Sequence, residues 1–167
     1  MMTRNISFID RKVSIKPYID LQSPDQILTS KKRYVQRWET SFCNHLAQLS
    51  DAKLHVTTHS EDDLQPYLRL LNSISSLTVW LPNTLPMIRI PSEKMLVVRY
   101  TPIREYENFI FIKSAGFSRG LVYWHNALDL IPEITHEKAF LGVLLSSQKA
   151  THDIIEMLDF VSLNKKI

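Results

Sequence analysis

Four segments in the middle of the chain constrain the fold more than anything else in it. LTVWL (77–81), KMLVVRYT (94–101), ENFIFIK (107–113) and RGLVYW (119–124) are dense in β-branched and aromatic residues, which suit a pleated, half-buried surface. Prolines at 82, 86, 91 and 102 punctuate them, each removing a backbone donor and stopping a continuous element. SAGFSRG (114–120) offers turn residues between the last two segments and predicts a hairpin there. The others are compatible with an antiparallel meander.

The flanks read differently. NISFIDRKVSIKPYIDL predicts one or two short strands ending near Pro17. Ser23, Pro24 and Gln26 then form a helix-start signature. Ile27, Leu28, Tyr34, Val35, Trp38, Phe42, Leu46 and Leu49 follow helical spacing, so a helix is expected over 24–49. Lys31 interrupts that apolar stripe; either its stem snorkels at the edge or the helix breaks near Ser30. LHVTTHS reads as a short strand or linker. Ser60 followed by EDD begins a second helix, unless Pro66 moves its start. In the last third, Phe140, Leu144, Ile154, Ile155, Leu158 and Val161 fit one long helix or two with a break at 146–151. The alternative makes AFLGVLLSS (139–147) a buried strand, and periodicity does not choose between them.

At 167 residues the chain fits a single domain, 1–167, with a core that needs no staple. The lone Cys43 excludes an internal disulfide and a multi-cysteine zinc site, and points to a reducing, cytoplasmic setting. No apolar run is long enough to span a bilayer, and the first residues lack a signal-peptide block. Three glycines argue against a glycine-rich phosphate cradle. The net charge of +3 is mild but uneven: residues 1–50 carry eight Lys/Arg against four Asp/Glu, and residues 76–119 six against three.

That bias directs attention to two candidate surfaces. Arg33 and Arg37, four apart, share a polar helix face beside Lys32 and are placed to contact phosphates. Their aromatic neighbours Tyr34, Trp38 and Phe42 lie on the apolar stripe, so a core helix with a solvated back is the competing reading. In NFIFIKSAGFSRG, Phe109, Phe111 and Lys113 share one strand face, with Arg89, Arg99, Arg104 and Arg119 near in sequence. A sheet face of aromatics and bases can stack single-stranded nucleic acid; the competing reading buries the phenylalanines in a core or interface. His55 and His59 in HVTTH have metal-pair spacing for a helix but not for a strand, and HVT is half of a twin His-x-Thr motif whose second copy does not occur. No serine, cysteine or carboxylate motif of a hydrolase appears, so no catalytic residue, metal or cofactor is assigned.

Two resemblances add to this. Residues 90–156 resemble chorismate lyases: IPSEKMLVVRY is similar to the strand carrying their substrate-carboxylate arginine, which falls on Arg99, and FLGVLLSSQKATHDIIE to the helical segment that follows. The closing strand of that family, with its catalytic glutamate, has no counterpart after Glu156. RGLVYWHNALDLIPEIT with the helix after it resembles small proteins of integrative and conjugative elements.

The resulting expectation is an α+β domain. Its mainly antiparallel sheet comes from the middle segment, and helices from the N-terminal and C-terminal thirds pack on one face. The expected role is a non-catalytic binding or accessory protein, a partner-binding component of a bacterial or mobile-element assembly. Its partner is a protein, with nucleic acid as the alternative and no membrane involved. The competing functions are a small enzyme holding an anionic substrate on Arg99 and an intracellular inhibitor of immunity type.

Overall fold

The computed structural model describes residues 6–13, 26–31, 41, 44, 51–102, 107–114, 117–125, 139–145 and 148–163. These form eight strands and two helices: β1 (Ile6–Val13), β2 (Gln26–Lys31), β3 (Lys53–Thr57), α1 (Glu61–Leu68), β4 (Ser76–Pro82), β5 (Met95–Pro102), β6 (Glu107–Ser114), β7 (Phe117–His125), β8 (Ala139–Leu145) and α2 (Gln148–Leu163). All eight strands join in one sheet of order β1-β5-β4-β3-β6-β7-β8-β2.

The architecture is α+β, but the sheet is mixed where a mainly antiparallel one was expected. β1, β5, β4 and β3 run parallel, and β3, β6, β7, β8 and β2 follow one another antiparallel. Only β6 and β7 keep the expected hairpin, with Ser114 opposite Phe117. The meander fails at β4–β5 for a geometric reason. Residues 83–94 intervene, enough for the dozen-residue crossover that a parallel pair requires. β3 then occupies the place between β4 and β6 that a meander would give to β5.

One further element expectation changes, and one alternative left open by the periodicity is decided. Residues 26–31 are a strand paired to β8, where a helix over 24–49 was expected. Ser41 and Asn44 are helical and exposed, and the rest of that segment lies outside the described residues. The misplaced Lys31 was the correct warning; pairing with a neighbouring apolar strand overrode a local capping signal. Residues 139–145 are likewise a strand, hydrogen-bonded to β7 on one edge and β2 on the other. α1 starts where Ser60 predicted, the Asp63 N–H donating to the Ser60 hydroxyl at 3.4 Å, and Pro66 lies within the helix.

The helices also cover both faces of the sheet, not one. Strand side chains alternate. Leu54, Val56, Leu77, Val79, Leu81, Val97, Ile110 and Ile112 pack with Leu64, Tyr67, Leu71 and Ile74 of α1 and the turns after it. Trp80, Val98, Tyr100, Phe109, Phe111 and Val122 pack with Ile154, Ile155, Leu158 and Val161 of α2. The α1 face is aliphatic; the α2 face is aromatic, with Trp80 edge-on to both Tyr100 and Phe109.

One close approach sets the packing of the aromatic face. Phe111 stands opposite Gly120, and a Cβ at Gly120 would lie 2.4 Å from the Phe111 ring. The ring occupies the space the glycine leaves. Gly120→Ala should therefore destabilise the protein by about 1–3 kcal/mol through overpacking, read from urea denaturation midpoints. The double variant Gly120→Ala/Phe111→Leu should be less destabilised than the sum of the two single changes.

Candidate functional site

The α2 face carries a buried histidine bonded at both ring nitrogens. His55 projects from β3 on that face between Leu54 and Val56, which point the other way, and it is 2% exposed. The fully buried Trp80 of β4 donates its indole N–H to His55 Nδ1 at 3.1 Å. On the other side of the ring, His55 Nε2 lies 2.7 Å from Asp159 Oδ1 on α2. An indole N–H can only donate, so Nδ1 must accept. The neutral ring then carries its proton on Nε2 and donates it to Asp159. The network itself assigns the tautomer.

Asp159 is the outer end of this relay, with its side chain 43% exposed. Burial alone would push its carboxyl up. The hydrogen bond donated by His55 and the positive charges of Lys53 and Lys113 outweigh burial and hold the carboxyl below its ordinary range. Lys53 and Lys113 stand directly opposite each other in the β3–β6 register. A like-charge cross-strand pair costs stability by itself, and Asp159 offsets that cost. Farther along the same strand, Thr57 Oγ1 accepts the Phe109 N–H at 3.0 Å and lies 3.3 Å from Asn108 Oδ1, to which it donates.

This arrangement clamps α2 to the sheet. A histidine base needs a ring lone pair aimed at a substrate proton. Here the Nδ1 lone pair is taken by Trp80 and the Nε2 proton by Asp159. The HVTTH histidines do not converge either: His55 points into the core, while His59 lies beyond the strand and is part-exposed.

Of the basic residues nominated by sequence, the described ones divide between the two faces of the sheet. Phe109 (4% exposed) and Phe111 (0%) are buried beneath α2, so the stacking face expected there is core. Lys113 projects on that α2 face. Arg119, in register with Ile112, projects on the opposite one. Arg99 also lies on the α1 face, with Nη2 donating to the carbonyls of Asn83 (2.9 Å) and Leu85 (2.7 Å) and Nη1 3.5 Å from the sulfur of Met87. It pins the β4–β5 crossover. Lys94 Nζ similarly donates to the carbonyls of Leu71 and Ile74 after α1. Arg89 is exposed, its backbone N–H donating to Glu61 Oε1 at 2.7 Å. Lys32, Arg33, Arg37 and Arg104 lie outside the described residues, as does Cys43.

Sequence reasoning missed Trp80 and Asp159 as partners of His55. A histidine flanked by buried aliphatics in a strand signals that its ring needs a polar partner. The carboxylate that supplies one is 104 residues away, and no local pattern links the two.

No known protein-family model matches the chain, and no curated protein matches it. Among solved structures it is similar to the crystal structure of polyphosphate kinase from Porphyromonas gingivalis, with a TM-score of 0.56 and 10% identity. The match covers 84% of this chain and 24% of that one, so the likeness is to about a quarter of a larger protein and concerns the fold. No helix among the described residues is long and apolar enough to cross a membrane.

The clamp gives two expected outcomes. Trp80→Phe leaves His55 Nδ1 buried without its donor and should cost about 1–3 kcal/mol in chemical denaturation. The pH dependence follows from the lowered Asp159 carboxyl. Its contribution is fully present above the unfolded carboxylate value of about 3.9. It is lost as pH falls through the lower folded value. Urea midpoints measured from pH 2 to pH 6 should therefore fall less steeply on the acid side for Asp159→Asn than for the wild type.

Proposed function

We propose that this chain is a non-catalytic binding or accessory component that works by engaging a protein partner within a larger assembly. One observation carries the reading: among the described residues, His55 and Arg99, the side chains whose types most suggest chemistry, are bonded within the fold. Both nitrogens of His55 are bonded. The Arg99 guanidinium, which an enzyme would need for an anionic substrate, donates to two crossover carbonyls. Charged side chains held in this way build structure and leave recognition to the surface.

A second reading, binding of a polyanion, is favoured by a separate observation. Lys53 and Lys113 stand opposite each other, with Asp159 near enough to feel both charges. The neighbour in fold is a polyphosphate kinase by name. At 10% identity that name transfers no activity, but it makes polyphosphate the natural probe beside nucleic acid.

The test compares absorbance at 260 and 280 nm for protein purified at low and high salt, followed by titration with single-stranded DNA and polyphosphate. The protein-partner reading expects a clean protein spectrum at both salts and no saturable polyanion binding. Salt-sensitive binding that Lys53→Ala/Lys113→Ala abolishes would replace it with the polyanion reading.

A further inference from the structure

Histidine is the side-chain type that gains a charge near neutral pH, and among the described residues His55 is the one that is buried. Its bonds fit the neutral ring alone. Nδ1 accepts the Trp80 indole N–H at 3.1 Å, and Nε2 donates to Asp159 at 2.7 Å. A second proton has only Nδ1 to occupy. There it would set one N–H against another, since an indole nitrogen cannot accept. Asp159 keeps its bond to Nε2 in either state, so Trp80 is the partner that acid removes.

The charged groups around the ring add to this. Asp159 is the carboxylate that α2 brings to it. Lys53 precedes His55 by two residues on β3, and Lys113 stands across from Lys53 on β6. Thr78 and Trp80 on β4 and Phe111 on β6 carry no charge. Glu156, three residues before Asp159 on α2, is exposed and lies 2.9 Å from His152. Two lysines therefore already stand against one carboxylate, and a protonated His55 adds a third cation out of water. Asp159 is held below the ordinary carboxylate range, so it stays ionised while a histidine takes up its proton.

The geometry points to His55 as an acid-sensitive latch: a proton on Nδ1 expels the Trp80 N–H and loosens α2 over the aromatic core. Trp80 is fully buried and packs edge-on to Tyr100 and Phe109. It belongs to the same cluster as Ile154, Ile155, Leu158 and Val161 of α2. In a close-packed core the indole cannot leave its acceptor without disturbing those contacts. The sign follows from the bond. It is present at higher pH, where the ring is neutral, and is lost as pH falls and the ring protonates. The core under α1 contains no histidine, so the loosening is confined to one face of the sheet. The inference goes beyond the protein-partner reading, which concerns the surface, and does not depend on it.

Amide hydrogen exchange of the full chain, corrected for intrinsic rates, tests this between about pH 8 and about pH 5, above the carboxylate range. Protection of the α2 amides should fall by about tenfold on the acid side, the net worth of one hydrogen bond. The α1 amides, Glu61–Leu68, should keep theirs. The Trp80 indole N–H signal in nitrogen-15 NMR, assigned by its absence in Trp80→Phe, should move with the same midpoint. His55→Gln supplies a carbonyl for Trp80 and an amide donor for Asp159 but cannot protonate, so its α2 protection should not change with pH. Lys53→Ala/Lys113→Ala removes two opposing cations and should shift the wild-type midpoint to higher pH. A Trp80 indole signal that stays fixed across the range overturns the inference, and this measurement needs only the wild-type fold. So does loosening of α1 in step with α2, or an acid step that persists in His55→Gln. Polyanion titrations at one fixed pH are unaffected by any of these results, so the two proposals fail separately.

Discussion

The five residues of β3 bear the constraint on which the rest of the structure depends. Lys53–Thr57 is hydrogen-bonded to β4 in the parallel sense along one edge and to β6 in the antiparallel sense along the other. A strand so placed joins two blocks with different connection rules. On the parallel side each step needs a crossover, supplied by α1 between β3 and β4 and by residues 83–94 between β4 and β5. On the antiparallel side a tight hairpin suffices, as between β6 and β7. Because side chains alternate, β3 also sends Leu54 and Val56 to one core and His55 to the other.

The two faces are stabilised by different physics. Under α1 the core is aliphatic and non-directional, closed by two cations that bond to backbone carbonyls. Lys94 holds the turns after α1, and Arg99 holds the crossover. Without them, those carbonyls would be left to find other donors at the margin of a hydrophobic core. Under α2 the core is aromatic and directional. Phe111 fills the space over Gly120, Trp80 is edge-on to its neighbours, and the indole N–H needs an acceptor, which His55 provides. Asp159 then completes the histidine and ties the helix to the sheet. Satisfied polar groups of this kind give a directional, specific seating that apolar contacts alone do not.

The same satisfaction bears on function. Groups whose residue types suggest chemistry in isolation become structural once their partners are known. Arg99 is the clearest case: in sequence it resembles a substrate-carboxylate arginine, and in the fold it faces main-chain oxygens. The exposed apolar side chains are different, because packing leaves Phe8, Met87 and Phe160 at the surface.

Much of the local structure was legible in the residues alone. The four central strands match β4 to β7 within two residues, the β6–β7 hairpin follows from its turn residues, and Ser60 marks the start of α1. Local chemistry decides such features, because β-branched density, turn residues and a capping hydroxyl act within a few positions of themselves. Strand order, the mixed sense of the sheet and the strand character of 26–31 and 139–145 depended on partners elsewhere in the chain. Residues 26–31 and 139–145 pair with each other across more than a hundred positions, and neither segment carries a periodicity that names its mate. The burial of Phe109 and Phe111 likewise needed α2 to be placed, since alternation assigns residues to a face without saying what covers it. The sequence by itself determined where the chain can be extended and where it must turn. Only the tertiary structure decided which edges meet and which of the charged side chains remain for the surface, because both depend on contacts between distant segments that no local pattern encodes.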